Sequence, residues 1–244
     1  MENTIFISCY FGLDIQDINY APFLNKSYFF CNNKKYKKLI ESRNWTFVHV
    51  KFPICKDNLI SSLQSKYIKF LIFLKKYHFF RQFDNIIYFD HKEIFNDQSF
   101  YQICPLMEKY SNKSIIIRKS EYINTNLKDE LLRSKYQAKY SKNLNKTVSL
   151  INILYKKSYH NPIYNTGFII YMNINKIHSL LQSIYNYCIK HRQPQCQIYF
   201  SLLSPKYHEF IHSFEYSQFS KLKRRKIIDN TLFLPSKSLK ILKL

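Results

Sequence analysis

Glycine is nearly absent from this sequence, which has 2 glycines in 244 residues, Gly12 and Gly167. A residue so scarce is not serving as a routine turn former, and a position that keeps it answers a specific backbone need. Gly12 comes shortly after the first predicted strand, behind Tyr10 and Phe11. We therefore interpret it as a tight turn or as a point where a ligand approaches the backbone closely.

Paired cysteines and long apolar runs are also missing. Six cysteines are scattered along the chain without a CxxC pair or a Cys/His cluster of zinc spacing, so we expect reduced, mostly buried thiols rather than a zinc site. No run approaches the roughly 18 apolar residues of a membrane helix, and no membrane span is expected. The start of the chain, Met1–Thr4, carries an acidic residue and leads straight into a strand, unlike a secretory signal. A cytoplasmic location is the resulting expectation.

Arginine is scarce beside lysine, with 7 arginines among 38 basic residues. The net charge of +22 would suit a nucleic-acid partner, but arginine is the side chain preferred for phosphate and base recognition. The lysine excess accompanies an excess of Asn, Ile, Tyr and Phe, a pattern typical of AT-rich codons. What remains is a basic surface that would attract nucleotides, anionic membranes or polyanions.

Alternating strands and helices predict an α/β domain with a mostly parallel sheet flanked by helices. The predicted strands are 4–9, 27–31, 46–50, one between Asp84 and Asp90, 114–118, and an apolar strand in 163–172 that follows a turn at 165–167. The predicted helices are 33–42, 57–77, 100–110 with a break near Pro105, 126–143, one capped near Asn175, and 195–203. We assign 1–210 to the domain and 211–244 to a basic extension packed on it.

The flanking segments carry more specific expectations. Asp57 is a suitable N-cap for the helix 57–77, and its buried stripe is predicted at Ile60, Leu63, Tyr67, Leu71 and Leu74. Lys66 and Lys69 fall outside that stripe. The charged segment 126–143 is predicted to be peripheral or lid-like.

Two further interpretations concern isolated features. Trp45 is interpreted as core rather than as a stacking platform. The basic run Lys221–Lys226 is either a solvated face or a patch for polyanions or acidic membranes.

The stretch from Asp84 to Lys92 organises the functional prediction. A turn-type pair is followed by a short apolar run, which is typical of a strand buried on both faces. Ligands of open α/β sheets bind just beyond the carboxyl ends of the strands, and Asp90 lies at such an end. Asp90 therefore either caps the next segment or faces a diphosphate through a hard cation such as magnesium or manganese, with Lys92 adding a direct positive charge.

Three blocks give the chain a resemblance to the nucleotide-sugar glycosyltransferases of the GT-A fold. They are Ser65-Lys66-Tyr67-Ile68-Lys69 with the apolar strand and Asp90-His91-Lys92, then the strand 116–120, and finally Asn165-Thr166-Gly167-Phe168 with the next helix and Gln195-Cys196-Gln197. The likeness covers roughly residues 4–210. It is strongest to small transferase-like domains of plant wall and mucilage proteins, bacterial polysaccharide clusters and large DNA viruses.

The resemblance implies an enzyme that moves a sugar from a nucleotide-diphosphate donor to a glycan or protein-linked acceptor, with Mn²⁺ or Mg²⁺ as cofactor. Asp90 and Lys92 would be the catalytic residues, and Asp90 the metal ligand. Neutralising the departing diphosphate would stabilise developing charge. The residues implied to contact the donor or border the sugar are Ser8, Tyr10, Phe11, Gly12, Lys69, Arg118, Asn165, Thr166, Gly167 and Gln197.

Two positions depart from the family pattern. The usual Asp-x-Asp pair of acids is Asp90-His91-Lys92 here, so the second carboxylate of that pair is missing. Cys196 stands before Gln197, where an acid is expected. The first departure argues against strong metal binding and the second against full catalytic competence, so a catalytically impaired relative is one alternative. We assign no general base.

A basic protein that binds single-stranded nucleic acid is the other alternative. The net charge, 21 Tyr and 21 Phe favour it, because aromatic rings beside a basic groove stack on bases. Most of these rings, however, fall in strand or helix-stripe patterns that burial in a core explains. The expected partners are thus a nucleotide sugar and a glycan or glycoprotein acceptor, with an anionic membrane surface left open and no specific nucleic acid.

Overall fold

The computed structural model describes residues 3–15, 17–74, 78–91, 93, 97–120 and 126–215. Lys92 and the basic run Lys221–Lys226 lie outside these residues. The division into 1–210 and 211–244 stays a prediction, although a strand of the sheet already occupies Ile211–Phe214. Among the described residues, no helix has the length and apolar character needed to cross a membrane.

The described chain forms one seven-stranded sheet in the order β3-β2-β1-β4-β6-β5-β7. β6 is antiparallel to its neighbours β4 and β5, and every other pairing is parallel. The predicted mostly parallel sheet is confirmed. The strands are β1 (Thr4–Tyr10), β2 (Ser27–Cys31), β3 (Thr46–His49), β4 (Asn85–Phe89), β5 (Ile115–Lys119), β6 (Tyr164–Tyr171) and β7 (Ile211–Phe214).

Helices cover both faces of this sheet, as predicted. They are α1 (Lys37–Glu41), α2 (Asn58–Phe70), α3 (His78–Arg81), α4 (Asp97–Lys109), α5 (Leu127–Lys135), α6 (Ala138–Ser141), α7 (Leu144–Leu154), α8 (His178–Lys190) and α9 (Cys196–Leu203). Short 3₁₀ turns precede α1 and α8 and follow α7 and α9.

Side chains alternate along each strand, so the sheet supplies two separate apolar layers. Ile7 of β1 packs in one buried cluster with α2 and α8, whereas Phe6 packs in the other with α1 and α4. Trp45 is 3% exposed within the second cluster, which confirms the core interpretation. The face predicted for the helix after β6 is also confirmed, since its five apolar residues are all fully buried: Ile177, Leu180, Leu181, Ile184 and Cys188.

The strand order reverses between β1 and β4. From β1 the chain builds outward through β2 to β3, and it then returns to place β4 on the other side of β1. The carboxyl ends of two strands whose connections leave in opposite directions open a crevice at the sheet edge. Ile7 pairs with Tyr88 in these strands, so Asp90 follows β4 at the lip of that crevice.

Three predictions about the elements need correction. Asn165–Gly167 is not a turn, because these residues lie within β6. The pairing of β6 with β5 shifts register here: Ile117 pairs with Ile169, whereas Arg118 pairs with Asn165. α4 is not interrupted at Pro105, which is exposed and leaves the buried side of the helix intact. The segment 126–143 is not only peripheral, because Leu127 and Leu131 of α5 are buried in the main core.

The helix that begins after Asp57 is shorter than predicted. Asp57 caps it as expected, accepting a hydrogen bond from the Leu59 amide at 2.7 Å. The helix ends at Phe70, and the next four residues form a turn in which Leu71, Ile72 and Phe73 are buried. Lys69 is also buried, so its predicted place outside the buried stripe is wrong.

Candidate functional site

The Asp90 carboxylate is the centre of a polar cluster at the lip of β4. Its Oδ1 accepts a hydrogen bond from the Tyr88 hydroxyl at 2.7 Å and lies 3.1 Å from the Lys69 ammonium. Lys69 is 2% exposed, whereas the Asp90 side chain is 39% exposed. The ammonium thus lies beneath the carboxylate, and it also faces the Tyr88 ring at 4.7 Å from the ring centre. The Asp90 side chain therefore holds a buried lysine in place.

Two lysines of α2 control the charge of Asp90. Burial alone would raise the pKa of the Asp90 carboxyl, but the attraction of Lys69 and Lys66 outweighs burial, and the pKa lies well below its usual range. Burial likewise would lower the pKa of the Lys66 ammonium, while Cys196 and Asp90 raise it. Asp90 is therefore ionised and Lys66 protonated at any physiological pH.

Gly167 lies directly beside Asp90 because β6 runs antiparallel to β4. The Asp90 amide donates to the Gly167 carbonyl at 2.8 Å. A methyl group added to Gly167 would meet Glu93 Oε1 at 2.8 Å, Asn165 Oδ1 at 2.9 Å and Asp90 Oδ2 at 3.2 Å. Its φ is not in the left-handed region. Glycine is therefore needed at 167 to leave space for three oxygen atoms, not for backbone freedom.

Glu93 is a second carboxylate that the sequence analysis missed. It follows Asp90 by three residues, is 1% exposed, and lies 3.0 Å from the guanidinium of Arg118, which is fully buried. The Asp90 carbonyl accepts from the Glu93 amide at 2.8 Å, and this turn brings both acids to Gly167. The sequence signal that pointed to such an acid was Arg118 near the end of β5, because a buried cation needs a carboxylate partner.

Cys196 joins the cluster from the start of α9. Its thiol lies 3.2 Å from the Thr166 hydroxyl of β6 and is 2% exposed. Burial would raise the pKa of this thiol, but Lys66 and Lys69 lower it below its ordinary value. The thiol that departs from the family pattern therefore lies inside the site, beside Thr166.

The loop after β1 forms the other wall of the crevice. Tyr10 is half-buried, packs edge-on against His91 at 5.0 Å, and donates to the Asp14 carbonyl at 2.6 Å. A side chain at Gly12 would meet the Tyr10 hydroxyl oxygen at 2.8 Å, so the close approach expected at Gly12 is made by the Tyr10 ring.

Apart from Tyr10 and Gly12, the predicted site residues divide into four groups. Asp90, Lys69, Asn165, Thr166, Gly167 and, through Glu93, Arg118 come together in one cluster. Ser8 and Phe11 are buried in the interior, with 0% and 4% of their surface exposed. Ser8 therefore does not reach the surface of the crevice. Gln197 is half-buried and bonds to Gln195 at 3.3 Å. Lys92 lies outside the described residues.

A divalent cation does not fit this donor set. Oδ1 of Asp90 already accepts from Tyr88 and pairs with Lys69, and Glu93 is paired with Arg118. Within the described part of the chain, no three His, Cys, Asp or Glu side chains are grouped to hold a metal ion. Hard cations bind where carboxylate oxygens are free to coordinate them. The paired oxygens disfavour a metal ion at Asp90, whose metal role stays a prediction.

No protein-family model matches the sequence, and comparison with curated proteins gives no match. Several solved structures are similar to the chain, and three of them are named here. Mouse xyloside xylosyltransferase 1 is 11% identical with a TM-score of 0.43, over 86% of this chain and 85% of that one. Core-mannan synthase A of Aspergillus fumigatus, in an Mn/GDP form, is 10% identical with a TM-score of 0.44, over 87% and 72%.

The third similar structure is a glycosyltransferase involved in the glycosylation of the major capsid of PBCV-1. It is 11% identical with a TM-score of 0.42, over 86% of this chain and 81% of that one. At such identities and scores, none of the three gives a role to a residue of this chain.

Proposed function

We propose that the chain is a glycosyltransferase that moves a sugar from a nucleoside-diphosphate donor to a hydroxyl group of a glycan or of a protein-linked sugar. The observation that carries the proposal is the Asp90–Lys69 pair, with Lys66 beside it, at the crevice between β1 and β4. Ligands of open α/β sheets bind at such a reversal of strand order.

The charge of the cluster suits a donor with an anionic leaving group. Three cations, Lys66, Lys69 and Arg118, face the two carboxylates of Asp90 and Glu93, which leaves one net positive charge. Sugar transfer builds negative charge on the departing diphosphate. Fixed positive charge near that position stabilises the transition state more than the ground state.

The neighbouring elements suit the other parts of such a donor. Tyr10 and His91 offer aromatic surfaces at the β1 side of the crevice. On the other side, Thr166 and Asn165 border Gly167, and the glycine leaves room beside the two carboxylates. The base would therefore lie towards β1, and the sugar and acceptor towards β6.

Calorimetric titration with a panel of nucleotide sugars tests the proposal, each donor being measured both with manganese and with EDTA. At least one donor should bind and should lose its sugar in the presence of a glycan acceptor. Asp90→Asn should abolish turnover. Lys37→Met serves as the control, because it breaks only the exposed Lys37–Glu41 pair on α1, in which the charged atoms are 3.8 Å apart. It should change neither donor binding nor turnover.

Two outcomes would contradict the proposal. Failure of every donor to bind under both conditions would exclude nucleotide-sugar chemistry at this site. Binding without turnover for any acceptor would identify the chain as a catalytically impaired relative instead.

A further inference from the structure

We infer that this site binds the donor's diphosphate without a divalent cation, because ammonium groups of α2 supply the positive charge that a metal ion would bring. The inference rests on the proposed function and extends it to how the donor is held. It departs from the manganese or magnesium that the family resemblance implies.

The first support is the position of the Lys69 ammonium. It lies 3.1 Å from Asp90 Oδ1, and the Tyr88 hydroxyl bonds the same oxygen at 2.7 Å. A metal ion bound to Oδ1 would displace both contacts, and one bound to Oδ2 of the same carboxylate would still lie near the Lys69 ammonium. Two cations at such a separation repel each other.

The second support is that Lys69 cannot withdraw. Its side chain is 2% exposed, and its own carbonyl accepts from the Tyr171 hydroxyl at 2.8 Å, which fixes the last turn of α2 against β6. Moving the ammonium away from Asp90 would leave a charge buried without its partner, and such a loss is severe. The pair is therefore a permanent part of the fold.

The third support comes from the other acid at the site. Glu93 Oε1 lies 3.0 Å from the Arg118 guanidinium, and both side chains are buried. Each carboxylate thus has its own cation, and Lys66 adds a further positive charge near Asp90. A cluster with net positive charge repels a free divalent cation and attracts a diphosphate.

Manganese in the absence of a donor gives the first test. Manganese alone, followed by electron paramagnetic resonance, should remain free in the presence of the wild-type protein. The same measurement on Lys69→Met, which keeps the length of the buried side chain and removes its charge, should show manganese becoming bound. Lys37→Met is the matched control and should behave as the wild type.

The donor gives the second test. For whichever nucleotide sugar binds, replacing manganese with EDTA should change the dissociation constant by less than about threefold. Lys66→Met should weaken donor binding by about tenfold, and added manganese should not restore it.

The possible outcomes distinguish a failure of the metal-free inference from a failure of the proposed function. A donor that binds tightly with manganese and not with EDTA, or tight binding of manganese alone to the wild type, would overturn the inference and leave the glycosyltransferase proposal standing. Absence of any donor binding under both conditions would overturn both.

Discussion

Gly167→Ala puts the geometry of the site to a direct test. The added methyl would lie 2.8 Å from Glu93 Oε1, 2.9 Å from Asn165 Oδ1 and 3.2 Å from Asp90 Oδ2, all closer than carbon–oxygen contacts normally allow. At least two of these side chains must shift. Overpacking by one methyl in a filled interior costs about 1–3 kcal/mol. For a chain of this size, that loss lowers the melting temperature by roughly 2–12 °C.

The effect on donor binding should exceed the effect on stability. Asp90 moves only if it loosens its contact with Lys69, and Glu93 only if it loosens its contact with Arg118. We expect donor affinity to fall by at least tenfold, roughly 1.4 kcal/mol, even at temperatures where the variant is fully folded. Scanning calorimetry and donor titration measure the two quantities. Ser149→Ala, at an exposed position of α7, is the control.

The reasoning fails if the alanine variant keeps both the melting temperature and the donor affinity of the wild type. Such a result would mean that the oxygens around Gly167 have room to move without cost. The space beside Gly167 would then not be part of the binding site.

Three further predictions concern charge. Asp90→Asn should make the stability of the fold fall less steeply as the pH drops. Because folding lowers the pKa of Asp90, the stabilisation by its carboxylate is complete above about pH 4 and declines below that value. Circular dichroism followed during acid titration measures this loss. Arg118→Met should lower the unfolding free energy by about 3–5 kcal/mol in urea melts. Adding Glu93→Gln should recover much of this loss. If the losses of the two single variants simply add in the double variant, the two side chains are not coupled. Lys92→Ala should weaken donor binding by about tenfold in calorimetry. An unchanged dissociation constant would mean that Lys92 is not part of the site.

The sheet was largely predictable because its strands are short, continuous apolar runs. β2 and β4 were found at the expected positions, and the face of α8 followed from its helical spacing. The antiparallel direction of β6 was not predictable from the same kind of run. A strand buried on both faces looks alike in either direction, since its side chains carry no mark of polarity.

The site was predictable only at its centre. Asp90 follows a recognisable strand, but the burial of Lys69 depends on where α2 meets β4, and no helical pattern reveals a lysine that is buried for its charge. Glu93 was missed because its partner Arg118 is 25 residues away in the sequence. Long-range pairing of this kind is fixed by the sheet order and not by local spacing.

The burial of Lys69 has a consequence for the entropy of donor binding. A lysine that becomes ordered loses about 1.5–2 kcal/mol of side-chain conformational freedom. Here that loss occurs during folding, because Tyr171 fixes the Lys69 backbone and Asp90 its side chain before any ligand arrives. A lysine on the surface would lose the same freedom at each binding event. The fold therefore keeps the Lys69–Asp90 pair in place for successive donors, at no further cost in order.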